Sequence, residues 1–340
     1  MQREAYFDNA KLLFIFLVVF GHIIQPLKTS IPLADVLYQW IYLFHMPAFV
    51  LVSGFFAKGS GKKLYILKLV KRILLPYVIF HIFYTIYFYG IGKNGWDTSI
   101  VDPHWGLWFL VSLFCWHLLL ILFKRFPAKW GIFLAFSIGI GIGYVPFINE
   151  TFSLSRTFVF FPFFLMGFWF SKEKLFRMQT INRKWIAIIV LVAIFAVSYF
   201  TPTIQAQWLF GSTPYVQLDA PIYGGIFRTI LYSIAILMTF AALTLVPRTR
   251  LSFTHLGEQT MYVYLLHGLF IQYIRQANLL QLEQNLDIIG LAVIAAAIVW
   301  FLSTKWVISL THWLVETDYS LGKRHWRTPA TKRYKEEKLS

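Results

Sequence analysis

Apolar residues fall in long blocks along this chain, and polar residues mark the gaps between them. Ten blocks read as helices, at about residues 11–27, 37–57, 73–91, 104–123, 131–147, 157–171, 186–200, 224–246, 259–276 and 287–310. Most approach the ~20 residues that cross a bilayer at a helical rise of about 1.5 Å per residue. The sixth and seventh are shorter. The pattern predicts an all-α fold, a polytopic membrane bundle of about ten transmembrane helices over residues 1–315. A short, charged, basic tail, 316–340, follows it. The first block runs into "QPLKTSIPL", which lacks a small-residue cleavage site, so it reads as a retained first helix rather than a signal peptide.

Composition sharpens the picture. The chain is 58% hydrophobic and only 14% charged, against about 25% charged in a soluble domain. Its net charge of +16 reports topology rather than nucleic-acid binding, because Lys and Arg collect in cytoplasmic loops. With the N-terminus inside, the cytoplasmic side carries Lys58, Lys62, Lys63, Lys68, Lys71 and Arg72, the clusters around Lys124, Lys174 and Arg248, and the basic tail. The opposite side keeps Lys28, Lys93, Arg156 and Arg275, while Lys11, Arg228 and Lys305 sit at or within helix ends. Both termini are therefore expected in the cytoplasm, with the loop near Lys62 inside and that of Asp97 and Asp102 outside. Cys115, the single cysteine, excludes an intramolecular disulfide and a multi-cysteine metal site. No metal is expected.

A charged side chain at mid-bilayer costs at least about 2.5–3.5 kcal/mol, so ionisable groups inside the apolar blocks are candidates for function. "KLLFIFLVVFGH" holds two. Eleven steps at about 100° complete about three turns, which puts Lys11 and His22 on one face about 16 Å apart. Asp8 lies one turn before Lys11 and can pair with it. Each also has a plainer use: His22 as a hydrogen-bonded neutral histidine between helices, Lys11 as a lysine snorkelling at a helix end. In "FHMPAFVLVSGFF", His45 falls at a depth that matches His22, Pro47 can kink the helix, and Ser53-Gly54 suits close helix packing, with Ser53 also a candidate substrate contact. In "GKKLYILKLVKRILLPY", the cluster Lys68, Lys71 and Arg72 suits either lipid phosphates or the phosphates of a cytoplasmic anionic substrate. "DPHWGLWFLVSLF" brings His104, Trp105 and Trp108 to the outer interface, as belt anchors or as a platform for a sugar ring. In "GEQTMYVYLLHGLF", Thr260, Tyr264 and His267 share one face and point into the bundle.

Together these stretches resemble the acyltransferase-3 family of integral membrane acyltransferases, most closely its fucose 4-O-acetylase-like branch. The family's mark is a basic residue, ten residues and a histidine in the first helix, matched here by Lys11 and His22 inside "YFDNAKLLFIFLVVFGH". "FHMPAFVLVSGFF", "KRILLPY", "HWGLWFL" and "GEQTMYVYLLHGLF" follow in order, between residue 6 and about 268. The resemblance implies transfer of an acyl group, usually acetyl from acetyl-CoA bound at the cytoplasmic face, to a carbohydrate hydroxyl. The acceptor is commonly an envelope glycan or exopolysaccharide, and the setting is the cell membrane. It makes His22 the catalytic histidine, as general base or transient acyl carrier, with Lys11 and Asp8 beside it in function. Lys68, Lys71 and Arg72 then hold the donor, and His45, Ser53, His104, Trp105, Tyr264 and His267 face the acceptor. Many members carry arginine at the place of Lys11, and an Arg-x-x-Arg pair where this chain has Lys68-x-x-Lys71 followed by Arg72. Lysine is a point charge without arginine's bidentate fork.

Two other classes compete. A transporter or flippase for a polysaccharide or lipid-linked sugar also uses intramembrane histidines, as proton relays. It is disfavoured by the lack of an inverted repeat with paired broken helices and of a chain of intramembrane carboxylates. A structural scaffold leaves the polar faces of the first and ninth blocks without a purpose.

Overall fold

The structure is a computed structural model and describes residues 4–57, 63–93, 96, 99, 102–149, 151–280 and 282–316. Those residues form helices and connecting loops with no strand among them. The helices are α1 (Ala5–Ile24), α2 (Pro32–Phe55), α3 (Lys63–Leu69), α4 (Leu75–Gly90), α5 (Trp108–Phe123), α6 (Ala128–Gly141), α7 (Leu154–Trp169), α8 (Lys172–Arg177), α9 (Ile181–Phe200), α10 (Ala206–Phe210), α11 (Gly224–Leu245), α12 (Thr260–Gln276), α13 (Asp287–Leu302) and α14 (Lys305–Val315).

Each of the ten predicted blocks meets a helix. Among the described residues six helices are long and apolar enough to cross a membrane, at Ala5–Thr29, Pro32–Phe55, Trp105–Phe123, Thr151–Trp169, Ile181–Phe200 and Gly224–Leu245. The tenth block is not the single rod its hydropathy suggests. It breaks after Leu302, and α14 leaves α13 at 68°. Two turns of the chain explain the break: Ser303 returns its hydroxyl to the Val299 carbonyl, and Thr304 is extended, which starts a new helix at Lys305. The basic tail, Lys62 and Asp97 lie outside the described residues.

The helices α1, α2 and α7 make the centre of the bundle: buried residues occupy most positions along each of them. The spans of α9 stand at the periphery, with little of their surface buried. The α2–α7 crossing is close at the backbone level. A Cβ on Gly54 would lie 2.0 Å from the Phe164 carbonyl oxygen, and one on Gly167 would lie 1.9 Å from that of Leu51. Small residues are what permit such an approach in a membrane, where van der Waals packing rather than water expulsion joins helices.

Polar contacts fix which loops share an end of the bundle. At the start of α1, Glu4 pairs with Lys172, and Asn9 donates to the carbonyls of Pro247 and Thr249 and accepts from Thr254. Arg248 reaches Gln179 and the Phe176 carbonyl. The basic segments around 172–184 and 248–250 therefore gather at the N-terminal end of α1. His22 lies about five turns away, toward the other end.

Candidate active site

His22 sits in the last turn of α1 and lines a cavity of about 270 Å³ together with Gln25, Tyr42, His45, Trp105, Arg156 and Arg275. The ends of α1 and α12, α2, the turn before α5, the start of α7, which brings Arg156, and α10 converge here. A second space, of about 330 Å³, adjoins it and shares Pro103, Trp108 and Arg156 with it. Asp102, Asn149 and Thr151 line that space, so it lies on the loop side and forms a vestibule to the His22 cavity.

The imidazoles are held in defined ways. His45 Nδ1 lies 2.8 Å from the Ile41 carbonyl, and His267 Nδ1 lies 2.9 Å from that of Val263 and 2.7 Å from that of Tyr264. A carbonyl only accepts, so both rings carry the proton on Nδ1 and keep Nε2 as an acceptor. His267 Nε2 is buried and has no hydrogen-bond partner among the described residues. His22 Nδ1 lies 3.1 Å from the Tyr42 hydroxyl. When Nδ1–H donates to that hydroxyl, Nε2 bears the lone pair that a base requires. Arg275 adds a clamp: its Nη2 donates to the His22 carbonyl at 2.5 Å and to Gln25 Oε1 at 2.8 Å. It thereby ties the end of α12 to the end of α1 and satisfies a carbonyl that the last helical turn leaves open.

Trp105 is the wall of the site. Its ring lies 4.3 Å from that of His22 and 5.1 Å from that of His267, centre to centre, and the two histidine rings lie 5.7 Å apart. Its backbone is left-handed, at φ 39°, a conformation that costs a non-glycine residue of order 1–3 kcal/mol. The surroundings hold it there. The Tyr264 hydroxyl donates to the next carbonyl, that of Gly106, at 2.6 Å. Gly268 leaves room for the indole, since a Cβ there would lie 2.7 Å from Trp105 Cζ3.

Of the residues singled out in the sequence, His22, His45 and Trp105 line one cavity, and His267 packs directly behind His22 and Trp105. Tyr264 shapes the same wall through Gly106. His104, one residue away, turns elsewhere: Nε2 meets the Thr85 hydroxyl at 2.8 Å and its ring stacks on His81 at 4.3 Å. Ser53 is also outside the cavity. Its hydroxyl returns to the Phe49 carbonyl at 2.9 Å, and its neighbour Gly54 makes the α2–α7 crossing, so the pair serves packing. Pro47 sits inside a continuous α2. Lys11 pairs with Asp8 at 2.7 Å, on the same uninterrupted helix as His22 but at its other end, and neither lines the cavity.

Lys68, Lys71 and Arg72 are exposed and lie apart from the cavity. Lys71 and Arg72 fall in a π-helical turn, Val70–Leu74, inserted between α3 and α4. Such turns are frequent at functional sites. Nearby, the Tyr65 hydroxyl meets His117 Nδ1 at 2.7 Å and ties α3 to α5. Among the described residues no three His, Cys, Asp or Glu side chains gather as metal ligands would.

Sequence reasoning missed Tyr42, Gln25 and Arg275 as parts of the site. Tyr42 precedes His45 by three positions and so shares its face. Arg275 is one of four cations on an otherwise cation-poor side. Neither signal names a partner, because the contacts join residues 20 and 253 positions apart.

Comparison with known proteins gives the site a context. The family described as an acyltransferase domain, acyltransferase-3, matches residues 4–308. The chain is 28% identical over 193 residues to the nodulation protein NolL of Sinorhizobium fredii (strain NBRC 101917 / NGR234), covering 50% of this chain and 49% of that protein. It is 26% identical over 213 residues to the nodulation protein NolL of Mesorhizobium japonicum (strain LMG 29417 / CECT 9101 / MAFF 303099), covering 56% and 54%. The chain thus spans about half the length of the curated relatives it matches. No solved structure matches it significantly.

Proposed function

The chain belongs to the acyltransferase-3 family, and from that premise we propose that it is a membrane O-acyltransferase of the fucose 4-O-acetylase-like branch. It moves an acyl group, acetyl in the first instance, from cytoplasmic acyl-CoA to a hydroxyl of an envelope glycan or exopolysaccharide. The observation that carries this reading is the position of His22, in a cavity inside an apolar bundle that it lines with Gln25, Tyr42, His45, Arg156 and Arg275, with Nδ1 of its ring beside the Tyr42 hydroxyl.

In this reading the protein crosses the cell membrane with ten helices and both termini inside. The acceptor enters through the vestibule beside Trp108 and Arg156, and the donor reaches His22 from the end of the bundle that bears Lys11. Nε2 of His22 takes the proton of the acceptor hydroxyl as its oxygen attacks the thioester carbonyl. The carbon–sulfur bond then breaks, and the thiolate leaves with a proton from the imidazolium. Lys68, Lys71 and Arg72 receive the donor's phosphates, as charged contacts rather than bidentate ones. Asp8 keeps the Lys11 ammonium in place at the donor side. His45 and Trp105 face the acceptor.

Purified protein incubated with radiolabelled acetyl-CoA and a panel of envelope glycans tests the reading. Label is expected in at least one glycan as an alkali-labile ester. Replacing Lys68, Lys71 and Arg72 with glutamine is expected to raise KM for acyl-CoA more than KM for the glycan. Absence of label from every glycan, with the donor intact, contradicts the activity. An equal rise in both KM values contradicts the donor site.

A further inference from the structure

We propose that the bundle holds one small monovalent anion, chloride in the cell, against the guanidinium of Arg228. Arg228 sits one turn inside α11 and is only 5% exposed. It lines an internal space of about 30 Å³ with Tyr42, Pro47, Phe163, Trp208 and Tyr232. Tyr42, Phe160 and Leu209 line both this space and the His22 cavity, so the anion has its way in from the cavity side. The site stands whether or not the protein transfers an acyl group.

The charge of Arg228 calls for a partner that its protein surroundings do not supply. An arginine side chain stays protonated at any physiological pH. Among the described residues no Asp or Glu lines the space or pairs with it. Its contacts are neutral: Nη1 donates to the Trp208 carbonyl at 2.8 Å, and the guanidinium lies 5.5 Å from the Trp208 ring. The Tyr215 and Tyr232 phenols stand near it. They donate their protons to the carbonyls of Ile140 and Val159, at 2.9 and 2.8 Å, and so carry no charge. Arg228 Nε is buried without a hydrogen-bond partner. The N-terminal end of α11, one turn away, adds a partial positive charge of its own. A carbonyl dipole and an aromatic face offset the desolvation of a buried cation only in part. An anion at Nε–H supplies the rest.

Size chooses the anion. One water needs about 10–15 Å³ of such space, so the space beside Arg228 admits one or two species no larger than water or a halide. A sugar carboxylate or a phosphate ester is too large for it. The remaining walls, with Leu43, Leu231 and Ala235, are apolar, which suits a weakly hydrated halide. A water molecule there would satisfy Nε but leave the charge uncompensated.

Thermal unfolding of the purified protein tests the site and needs neither donor nor acceptor. Chloride replaces gluconate stepwise at constant ionic strength. A ligand bound only by the folded protein raises Tm along a saturating curve, here by about 2–4 °C, whereas a general salt effect does not saturate. Two variants ask where the chloride acts. Arg228→Met removes the cation, and Ala235→Leu fills the space while keeping it. In each, whatever its own Tm, the exchange of gluconate for chloride is expected to leave that Tm in place. Bromide-soaked crystals of the unaltered protein are expected to show an anomalous peak within hydrogen-bonding reach of Arg228 Nε. Should either variant fail to fold, the bromide position in the unaltered protein decides. A Tm indifferent to chloride, a saturating rise that survives in Arg228→Met or Ala235→Leu, or water alone beside Arg228 in the bromide crystals overturns the proposal.

Discussion

His22 depends on neighbours it does not meet along the chain. Tyr42 engages one ring nitrogen, Arg275 fixes the carbonyl of the same residue, and Trp105 closes the space in front of it. If Tyr42 orients the imidazole, Tyr42→Phe removes one neutral hydrogen bond of ~0.5–1.5 kcal/mol. The expected result is a kcat lower by about two- to tenfold with KM for acyl-CoA unchanged. A shift in KM alone would mean that the hydroxyl binds donor rather than orients the ring. The sequence showed His22 and His45 by the rarity of ionisable groups in apolar blocks, and that logic holds for any helix buried in lipid. It paired His104 with Trp105, which the structure separates, because proximity in sequence does not fix the direction of a side chain across a tight turn. It was silent on Arg275, whose meaning lies in a contact with a helix far away in the chain.

At the scale of elements, packing is decided by where backbones come close. The crossing of α2 with α7 at Gly54 and Gly167 admits no Cβ without a shift of main chain. Gly167→Ala is therefore expected to destabilise the purified protein by about 1–3 kcal/mol, as overpacked cores do, read as a lower Tm. Ser53→Ala, which removes only a hydroxyl already given to its own helix, is expected to leave Tm and KM within error. A KM effect from Ser53→Ala would restore Ser53 as a substrate contact. The helices themselves were legible as apolar blocks, because hydropathy reports burial in lipid or protein alike. The π-turn at Val70–Leu74 and the 68° break after Leu302 were not. Each falls where a polar pair interrupts the apolar run, Lys71-Arg72 and Ser303-Thr304, and such a pair does not by itself specify a π turn or a bend. The break leaves Trp306, Leu310 and Trp313 exposed on α14, residues suited to a helix lying at a membrane surface.

For the whole molecule, the account requires two ends of opposite use: a basic end for the donor and a vestibule for the acceptor. The distribution of basic residues predicts a sidedness, and thiol labelling in intact cells tests it after Cys115→Ser removes the native cysteine. Phe147→Cys, at a position 82% exposed in the loop after α6, is expected to react with an impermeant reagent in intact cells. Lys129→Cys, at the other end of α6, is expected to react only once the membrane is opened. The reverse pattern would exchange the sides of donor and acceptor. The claim on which the rest depends is that His22 performs the transfer. The most direct measurement is the rate of labelled acetyl transfer to glycan by purified His22→Ala, set against the unaltered protein at equal amounts of folded material. Loss of a general base lowers such a rate by about 10²–10⁴, and a fall of that size with an unchanged Tm is the expected result. Turnover close to that of the unaltered protein would contradict it, and the cavity around His22 would then have to serve something other than the chemistry.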